Sequence, residues 1–384
     1  MWYFTVPPKI IFGEDALDGL TEEVEDAKKI FIVTDKVLRD LGFLDKLTDK
    51  LKDKEIQVFD DVEPESSIET VKKGGQICLN FEPDYVIALG GGSVIDTAKG
   101  VWFIYERSDL DLSVGLDPFT KLGLGKKSKL IAVPTTSGTG SDATWAFIIT
   151  DKSEERKATF ASRELIPSIT VLDPIFPADM PKRLTVSTAL DALTHAVEAY
   201  ISTWGNDFSD AYAVHALRLI FKYLPKAVTE GSKDMLAREK IHNAATMAGM
   251  SFSNSQVGCA HSMGHSVGAI FNIPHGESVA IALPYLLEFY GEKGKEKLES
   301  LGKMLGLKSA EEVIEAIKKL MQTIGAPLSY AEVVPDKEAF LDSLPRLVDL
   351  ANGETGTIMS PKIPEVDEFE KLYLYAYEGK KIDF

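Results

Sequence analysis

Asp191 and His195 lie four residues apart in Thr188-Ala-Leu-Asp-Ala-Leu-Thr-His-Ala-Val-Glu-Ala-Tyr200, a stretch with helical spacing. On a helix both side chains leave the same face one turn apart. His261 and His265 repeat that spacing in a second helical pattern, and His275 follows between Pro274 and Gly276. One carboxylate and four imidazoles are thus gathered from a chain with only 6 histidines. A mixed Asp/His set suits Fe(II), Zn(II) or another borderline first-row ion, whereas Ca and Mg prefer shells of oxygen. The pattern predicts a metal site. His215 and His242 have no comparable partners and are read as ordinary surface or core histidines. Cys259, two residues before His261, could add a soft thiolate, although a small buried residue is the plainer reading.

A second constellation suits a phosphate. Gly90-Gly91-Gly92-Ser93 follows the apolar run Tyr85-Val-Ile-Ala-Leu89 and opens a helical segment. Glycines there let backbone N–H groups approach a pyrophosphate, and a helix N-terminus adds a favourable dipole. Ser93 is placed to cap that helix, with Asp96 three residues on as the acidic member of a capping box. Asp35 ends the run Ile32-Val-Thr34, and Pro134-Thr-Thr-Ser-Gly-Thr-Gly-Ser141 follows a run ending at Val133. Ligands of open parallel sheets sit outside the carboxyl ends of the strands, so the three segments are expected to converge on a dinucleotide. The plainer readings are a helix cap for Asp35 and a polar surface loop for the hydroxyl-rich run. No Gly-x-Gly-x-x-Gly follows the first strand, so this is not the commonest dinucleotide fingerprint.

The elements that must carry these residues change character along the chain. Lys29–Thr34, Ile56–Phe59, Tyr85–Leu89 and Leu130–Val133 read as strands, rich in β-branched residues and closed by turn or cap residues. Helical spacing runs between them from Lys36 to Leu51 and from Ile68 to Leu79, which predicts a doubly wound, mostly parallel α/β sheet. The prolines of Asp173-Pro-Ile-Phe-Pro-Ala-Asp-Met-Pro181 interrupt regular structure, and beyond them almost everything reads as helix. With 384 residues, two domains are expected, divided at 1–178 and 179–384.

Composition excludes several roles. Fifty-nine acids against 42 bases give a net charge of −17 with no basic block, which repels phosphate backbones and argues against nucleic acid. No apolar run has the length of a membrane span, and Met-Trp-Tyr-Phe-Thr-Val-Pro-Pro-Lys does not read as a secretory leader. Two cysteines are too few for a disulfide framework, so the cytoplasm is expected.

Taken together, Gly90-Gly-Gly-Ser-Val-Ile-Asp-Thr-Ala-Lys99, Pro134–Ser141, Asp191–Tyr200 and Gly258-Cys-Ala-His-Ser-Met-Gly-His265 through Gly276 resemble, in order and spacing, the iron-containing (group III) alcohol dehydrogenase family. The resemblance implies an N-terminal α/β nucleotide-binding domain and an all-helical metal-binding domain, the plan shared with dehydroquinate synthase. It also implies NAD(P)-dependent interconversion of small alcohols with aldehydes or ketones. It places metal ligands at Asp191, His195, His261 and His275, with Fe(II) as the ion and Zn(II) as the alternative. It puts His265 beside nicotinamide and substrate, outside the ligand set, and the spacing of His265 together with an imidazole's titration near neutrality suits a proton relay. Cofactor contacts fall on Asp35, Gly91, Gly92, Ser93, Asp96, Thr135, Thr136, Thr139, Thr144, Lys157 and Leu172. An acid in the place of Asp35 accepts from ribose hydroxyls and repels a 2′-phosphate, so NAD is expected over NADP. The chain departs from the family at Ala189 (usually Gly), at Asp142 (commonly Glu) and at Pro64-Glu65-Ser66, where Pro-Asn-Pro is usual. Two other classes remain beside this one: a cyclase resembling dehydroquinate synthase, which would need basic residues that the metal motifs lack, and a non-catalytic metal or nucleotide sensor. The expected partner is a small alcohol or aldehyde; a homo-oligomer is compatible with the chain, and neither the particular alcohol nor the subunit number is fixed by sequence.

Overall fold

The β-branched runs do become strands, and burial of Ile30–Val33, Val86–Leu89 and Leu130–Val133 shows why those three are apolar, whereas Ile56–Phe59 is largely exposed or half-buried and carries Gln57. The structure is a computed structural model that describes residues 3–110, 112, 120–152 and 156–384; Met1 and Trp2, which open the N-terminal stretch considered above, lie outside them. One unit spans Thr5–Asp179. In chain order it contains β1 (Lys9–Phe12), α1 (Ala16–Glu23), β2 (Lys29–Val33), α2 (Lys36–Asp40), α3 (Phe43–Asp49) and β3 (Glu55–Phe59). There follow α4 (Ile68–Phe81), β4 (Tyr85–Gly90), α5 (Gly92–Glu106), β5 (Lys129–Pro134), β6 (Ala146–Asp151), β7 (Arg156–Ala161) and β8 (Ile169–Leu172). Six strands form a parallel sheet in the order β1-β8-β5-β4-β2-β3, and β6 and β7 pair as a separate antiparallel hairpin.

Successive residues of a strand point to opposite faces. Accordingly Phe31, Val33, Val86, Ala88, Leu130 and Ala132 enter one apolar cluster, while Ile30, Ile32, Ile87, Leu89, Ile131 and Val133 enter another. Central parallel strands are covered on both sides, which is why they show no polar alternation. The chain leaves β2 outward to β3 and leaves β4 the other way to β5, so the sheet reverses between β2 and β4. Ligands of such sheets bind at that reversal. The helical pattern from Lys36 to Leu51 is broken at Gly42, which takes φ 76°, and splits into α2 and α3. The strands β1, β6, β7 and β8 were not legible in the sequence pattern.

The other unit holds Met180–Phe384 and is joined by the N-terminal residues through Phe4. Its helices are α6 (Lys182–Ile201), α7 (Asp207–Glu230), α8 (Met235–Phe252), α9 (Cys259–Phe271), α10 (His275–Leu305), α11 (Ala310–Ile324), α12 (Lys337–Asn352) and α13 (Val366–Glu378). In α6 every residue from Thr185 to Ile201 except Thr188 is buried, and the helix packs against α7, α8 and α10. Ala189, Ala192 and Ala196 let those neighbours approach it closely. A helix buried all round is a rigid mount for polar side chains. Among the described residues no helix is long and apolar enough to cross a membrane.

Candidate metal centre

Asp191 and His195 project from one face of buried α6, His261 comes from the first turn of α9, and His275 is the first residue of α10. The three imidazole Nε2 atoms stand 3.7 Å (His195), 3.6 Å (His261) and 3.1 Å (His275) from Asp191 Oδ1. Asp191, His261 and His275 each offer a donor atom within 4.8 Å of the others. Neither Asp191 Oδ1 nor His261 Nε2 has a hydrogen-bond partner, although both are buried. The His195 ring is fixed between Phe252, with centroids 4.0 Å apart, and His261, at 4.5 Å. What brings α10 so close is Gly276. A Cβ there would fall 1.8 Å from the Ser187 carbonyl oxygen and 3.1 Å from Asp191 Cβ.

Glu198, two turns beyond Asp191 on α6, orients His261. Its Oε2 accepts from His261 Nδ1 at 2.5 Å and its Oε1 from the Ala260 N–H at 2.6 Å. With Nδ1 committed, His261 presents Nε2 toward Asp191. Burial pushes the His195 imidazole down to about 3. Burial also works to lower His261, but Glu198 and Asp191 outweigh it and carry it to about 9. Asp191 is held well below the usual carboxylate range: burial opposes its charge, and the attraction of His195 and His275 overcomes that.

The centre is closed on one side and open on the other. The side chains of Asp191, His195 and His261 are 3, 6 and 3 % exposed, whereas His275 is 40 % exposed. His265, one turn after His261, stacks on His275 with centroids 5.1 Å apart and bonds through Nδ1 to Glu354 Oε1 at 3.1 Å. Its side chain is 27 % exposed, and burial lowers its pKa from the ordinary histidine value.

The glycine turn lies in the α/β unit. Gly91 is the N-cap of α5, and Gly91, Gly92 and Ser93 are all partly exposed. A Cβ on Gly91 would meet Thr136 Cγ2 at 3.2 Å and one on Gly92 would meet Thr139 Cγ2 at 2.8 Å, so the hydroxyl-rich run lies directly against the turn. Asp35 follows β2 and caps α2, accepting from the Leu38 N–H at 2.9 Å. Ser93 does not cap α5: its Oγ accepts from the Glu65 N–H at 3.3 Å. Asp96 makes no capping box either, because it accepts from Ser141 Oγ and from the Ile148 N–H. In both cases a tertiary donor displaces the local backbone partner. Thr135 is buried, and Thr144 gives Oγ1 and its carbonyl to Lys99, 3.0 and 2.9 Å away. Lys157, on β7, pairs with Glu65 at 2.8 Å, and Leu172 is buried at the end of β8.

Residues 7–174 match the family model described as iron-containing alcohol dehydrogenase, and residues 185–377 match that of the Fe-containing alcohol dehydrogenase family, C-terminal. The chain belongs to the iron-containing alcohol dehydrogenase family. It is 36 % identical to the NADPH-dependent butanol dehydrogenase of Clostridium saccharobutylicum, over the full length of both. It is 37 % identical to aldehyde-alcohol dehydrogenase 2 of Entamoeba histolytica, over 98 % of this chain and 46 % of that protein, so it spans about half the length of the bifunctionally named relatives. The structure of the iron-containing alcohol dehydrogenase from Thermococcus thioreducens superposes with a TM-score of 0.90 at 32 % identity, covering 99 % of this chain and 100 % of that one.

For an iron-containing alcohol dehydrogenase the donor spacing can be tested against an ion. Ligands about 2.1 Å from a tetrahedral ion stand roughly 3.4 Å from one another. The 3.1–3.7 Å separations around Asp191 Oδ1 agree, and an ion there would engage two of the centre's three buried atoms that lack partners, Asp191 Oδ1 and His261 Nε2, the third being His195 Nδ1. The donor set fits a divalent cation. Three residues escaped the sequence reading: Glu198, Glu354 and Lys99. Glu198 carried a signal, since it is the one acid besides Asp191 between Val186 and Ile201. Lys99, too, is a charge inside an apolar helix. Glu354 carried none.

Proposed function

We propose that the chain is a metal-dependent, nicotinamide-linked alcohol dehydrogenase acting on small alcohols, diols and aldehydes. In this reading Asp191, His195, His261 and His275 hold the ion, Fe(II) first and Zn(II) as the alternative. The observation that carries the proposal is the convergence of three imidazoles on a buried, unpartnered carboxylate oxygen with one exposed side. When bound, the cation supplies stabilisation of negative charge on the substrate oxygen and the nicotinamide supplies the hydride acceptor.

The residues do the rest. Glu198 and the stacked Phe252 hold His261 and His195 in fixed orientations, so that little reorganisation accompanies reaction. His265 donates from Nδ1 to Glu354, which leaves Nε2 as the acceptor of the substrate hydroxyl proton and passes it to the exposed rim. The turn Gly91-Gly92-Ser93, with Thr136 and Thr139 against it, offers backbone N–H groups to a pyrophosphate. NAD is preferred over NADP because Asp35 stands after β2 at the sheet reversal, where a 2′-phosphate would meet its charge. The C. saccharobutylicum relative, named for NADPH, shows that the family as such does not decide this point. The buried, unbridged Cys78 and Cys259 agree with a cytoplasmic protein.

The test is anaerobic reconstitution of metal-free protein with Fe(II) and, separately, Zn(II). Metal stoichiometry is measured first, then turnover of short primary alcohols, diols and aldehydes with NAD and NADP. One ion per chain and nicotinamide-linked turnover are expected. Full metal loading with no turnover of any of these substrates would leave a sensor and overturn the proposal.

A further inference from the structure

Helix α5 opens at the glycine turn and carries, two turns on, a lysine with no solvent exposure. A buried ammonium is costly unless its N–H groups find acceptors. Lys99 Nζ has four within reach: Ser141 Oγ at 3.2 Å, the Thr144 carbonyl at 2.9 Å, Thr144 Oγ1 at 3.0 Å and the Ala146 carbonyl at 2.7 Å. All belong to residues 141–146, the continuation of the hydroxyl-rich run that leaves β5. Asp96, one turn earlier on α5, grips the same segment, accepting from Ser141 Oγ and from the Ile148 N–H at 3.0 Å.

Ser141 passes this hold on toward the glycine turn. Its N–H donates to Thr139 Oγ1 at 3.3 Å. Thr139 in turn lies against Gly92, where an added Cβ would meet its Cγ2 at 2.8 Å and its Oγ1 at 3.1 Å. A threonine hydroxyl both accepts and donates. With the Ser141 N–H as donor to its oxygen, the Thr139 O–H is left to donate to an anion beside the N–H groups at the start of α5. The place of Thr139 thus depends on Ser141, and that of Ser141 on Lys99 and Asp96.

We propose that Lys99 is a positioning residue of the dinucleotide site: through Ser141 it holds the Thr139 hydroxyl at the glycine turn, in place to donate to a cofactor phosphate. The inference rests on the dinucleotide reading above. Lys99 is enclosed and does not touch the cofactor; it acts on the alignment of a donor that does. A hydrogen bond to a charged group that is lost for want of alignment weakens binding by about ten-fold or more.

The experiment titrates the metal-loaded full chain with NADH and with NADPH by calorimetry, at a temperature well below the melting point of every variant. The cofactor that wild type binds more tightly is then used for a double-mutant cycle of Lys99→Met and Thr139→Val. Each single change should weaken binding about ten-fold. The pair should weaken it little more than either alone, because Lys99 acts through Thr139. Glu106→Gln is the control. Glu106 is buried at the other end of α5 and accepts from the N–H groups of Lys126, Lys127 and Ser128, so this change disturbs the same helix away from the glycine turn and should leave the affinity unaltered. Circular dichroism follows folding; if Lys99→Met does not fold, Ser141→Ala takes its place in the cycle with the same expectation. Losses that multiply in the double variant, an affinity unaltered by either single change, or an equal loss in Glu106→Gln would each overturn the proposal and leave Lys99 a structural residue only. Binding of neither NADH nor NADPH to wild type would overturn the dinucleotide reading itself, and the proposal with it.

Discussion

Adding one methyl group at Gly276 should dismantle the metal centre while leaving most of the helical unit folded. The new Cβ would stand 1.8 Å from the Ser187 carbonyl oxygen, about 1.6 Å short of ordinary contact, and both partners are backbone or backbone-attached atoms that no rotamer change can move. The start of α10 must therefore lift from α6 by about that much, or the two helices must share the displacement. His275 is the residue before Gly276, and its Nε2 lies 3.1 Å from Asp191 Oδ1. A ligand bond of about 2.1 Å does not survive a shift of that size. Loss of one donor should weaken metal binding by about 100-fold or more, on the order of 3 kcal/mol. Overpacking itself should cost about 1–3 kcal/mol, a fall of several degrees in Tm for a chain this long. The assay is chelator competition for Fe(II) or Zn(II) on Gly276→Ala, with circular dichroism to follow folding. Metal affinity within three-fold of wild type in a folded variant would refute the reasoning, because it would mean that the close approach of α10 to α6 does not place His275.

Glu198→Gln removes the charge that orients His261 and should weaken metal binding by about 10–100-fold, with a changed visible spectrum in the Co(II)-substituted protein; unchanged affinity and spectrum would show that the carboxylate only fills space. Asp35→Gly should weaken NAD and improve NADP, moving the ratio of their kcat/KM values by roughly ten- to a hundred-fold, and an unmoved ratio would leave Asp35 as nothing more than the cap of α2. Lys99→Met should destabilise the α/β unit by about 3–5 kcal/mol, because it strips Ser141, Thr144 and Ala146 of their donor and Asp96 of its counter-charge. Burial brings the Lys99 ammonium down to about 8, so between about pH 8 and the ordinary lysine value near 10.4 the unfolded chain holds a proton that the folded chain has released. The contribution of Lys99 to stability then rises with pH across that window, and the deficit of Lys99→Met in denaturant unfolding should widen from pH 8 to pH 10; a constant or narrowing deficit would contradict the lowered pKa.

The sequence alone determined whatever depends on residues a turn or a strand apart. Asp191 with His195, and His261 with His265, are i,i+4 pairs whose shared face follows from helical geometry, and β2, β4 and β5 are apolar runs of strand length. The glycine turn after β4 was legible because strand, glycines and helix are contiguous. Tertiary structure decided what depends on contacts between distant segments. The bond from Glu198 to His261 joins residues 63 apart and that from His265 to Glu354 residues 89 apart, and neither has a local signature. The hydroxyl of Ser93 and the carboxylate of Asp96 suited a capping box by spacing alone, yet Glu65 and Ser141, brought in by folding, offered partners that the helix end did not outcompete. Gly276 looked like a turn residue between His275 and a helix, and only the approach of α10 to Ser187 shows that the missing Cβ is what lets His275 reach Asp191. Local periodicity names the donors; their distances from one another are set by how closely the helices pack, and that is a property of the whole core.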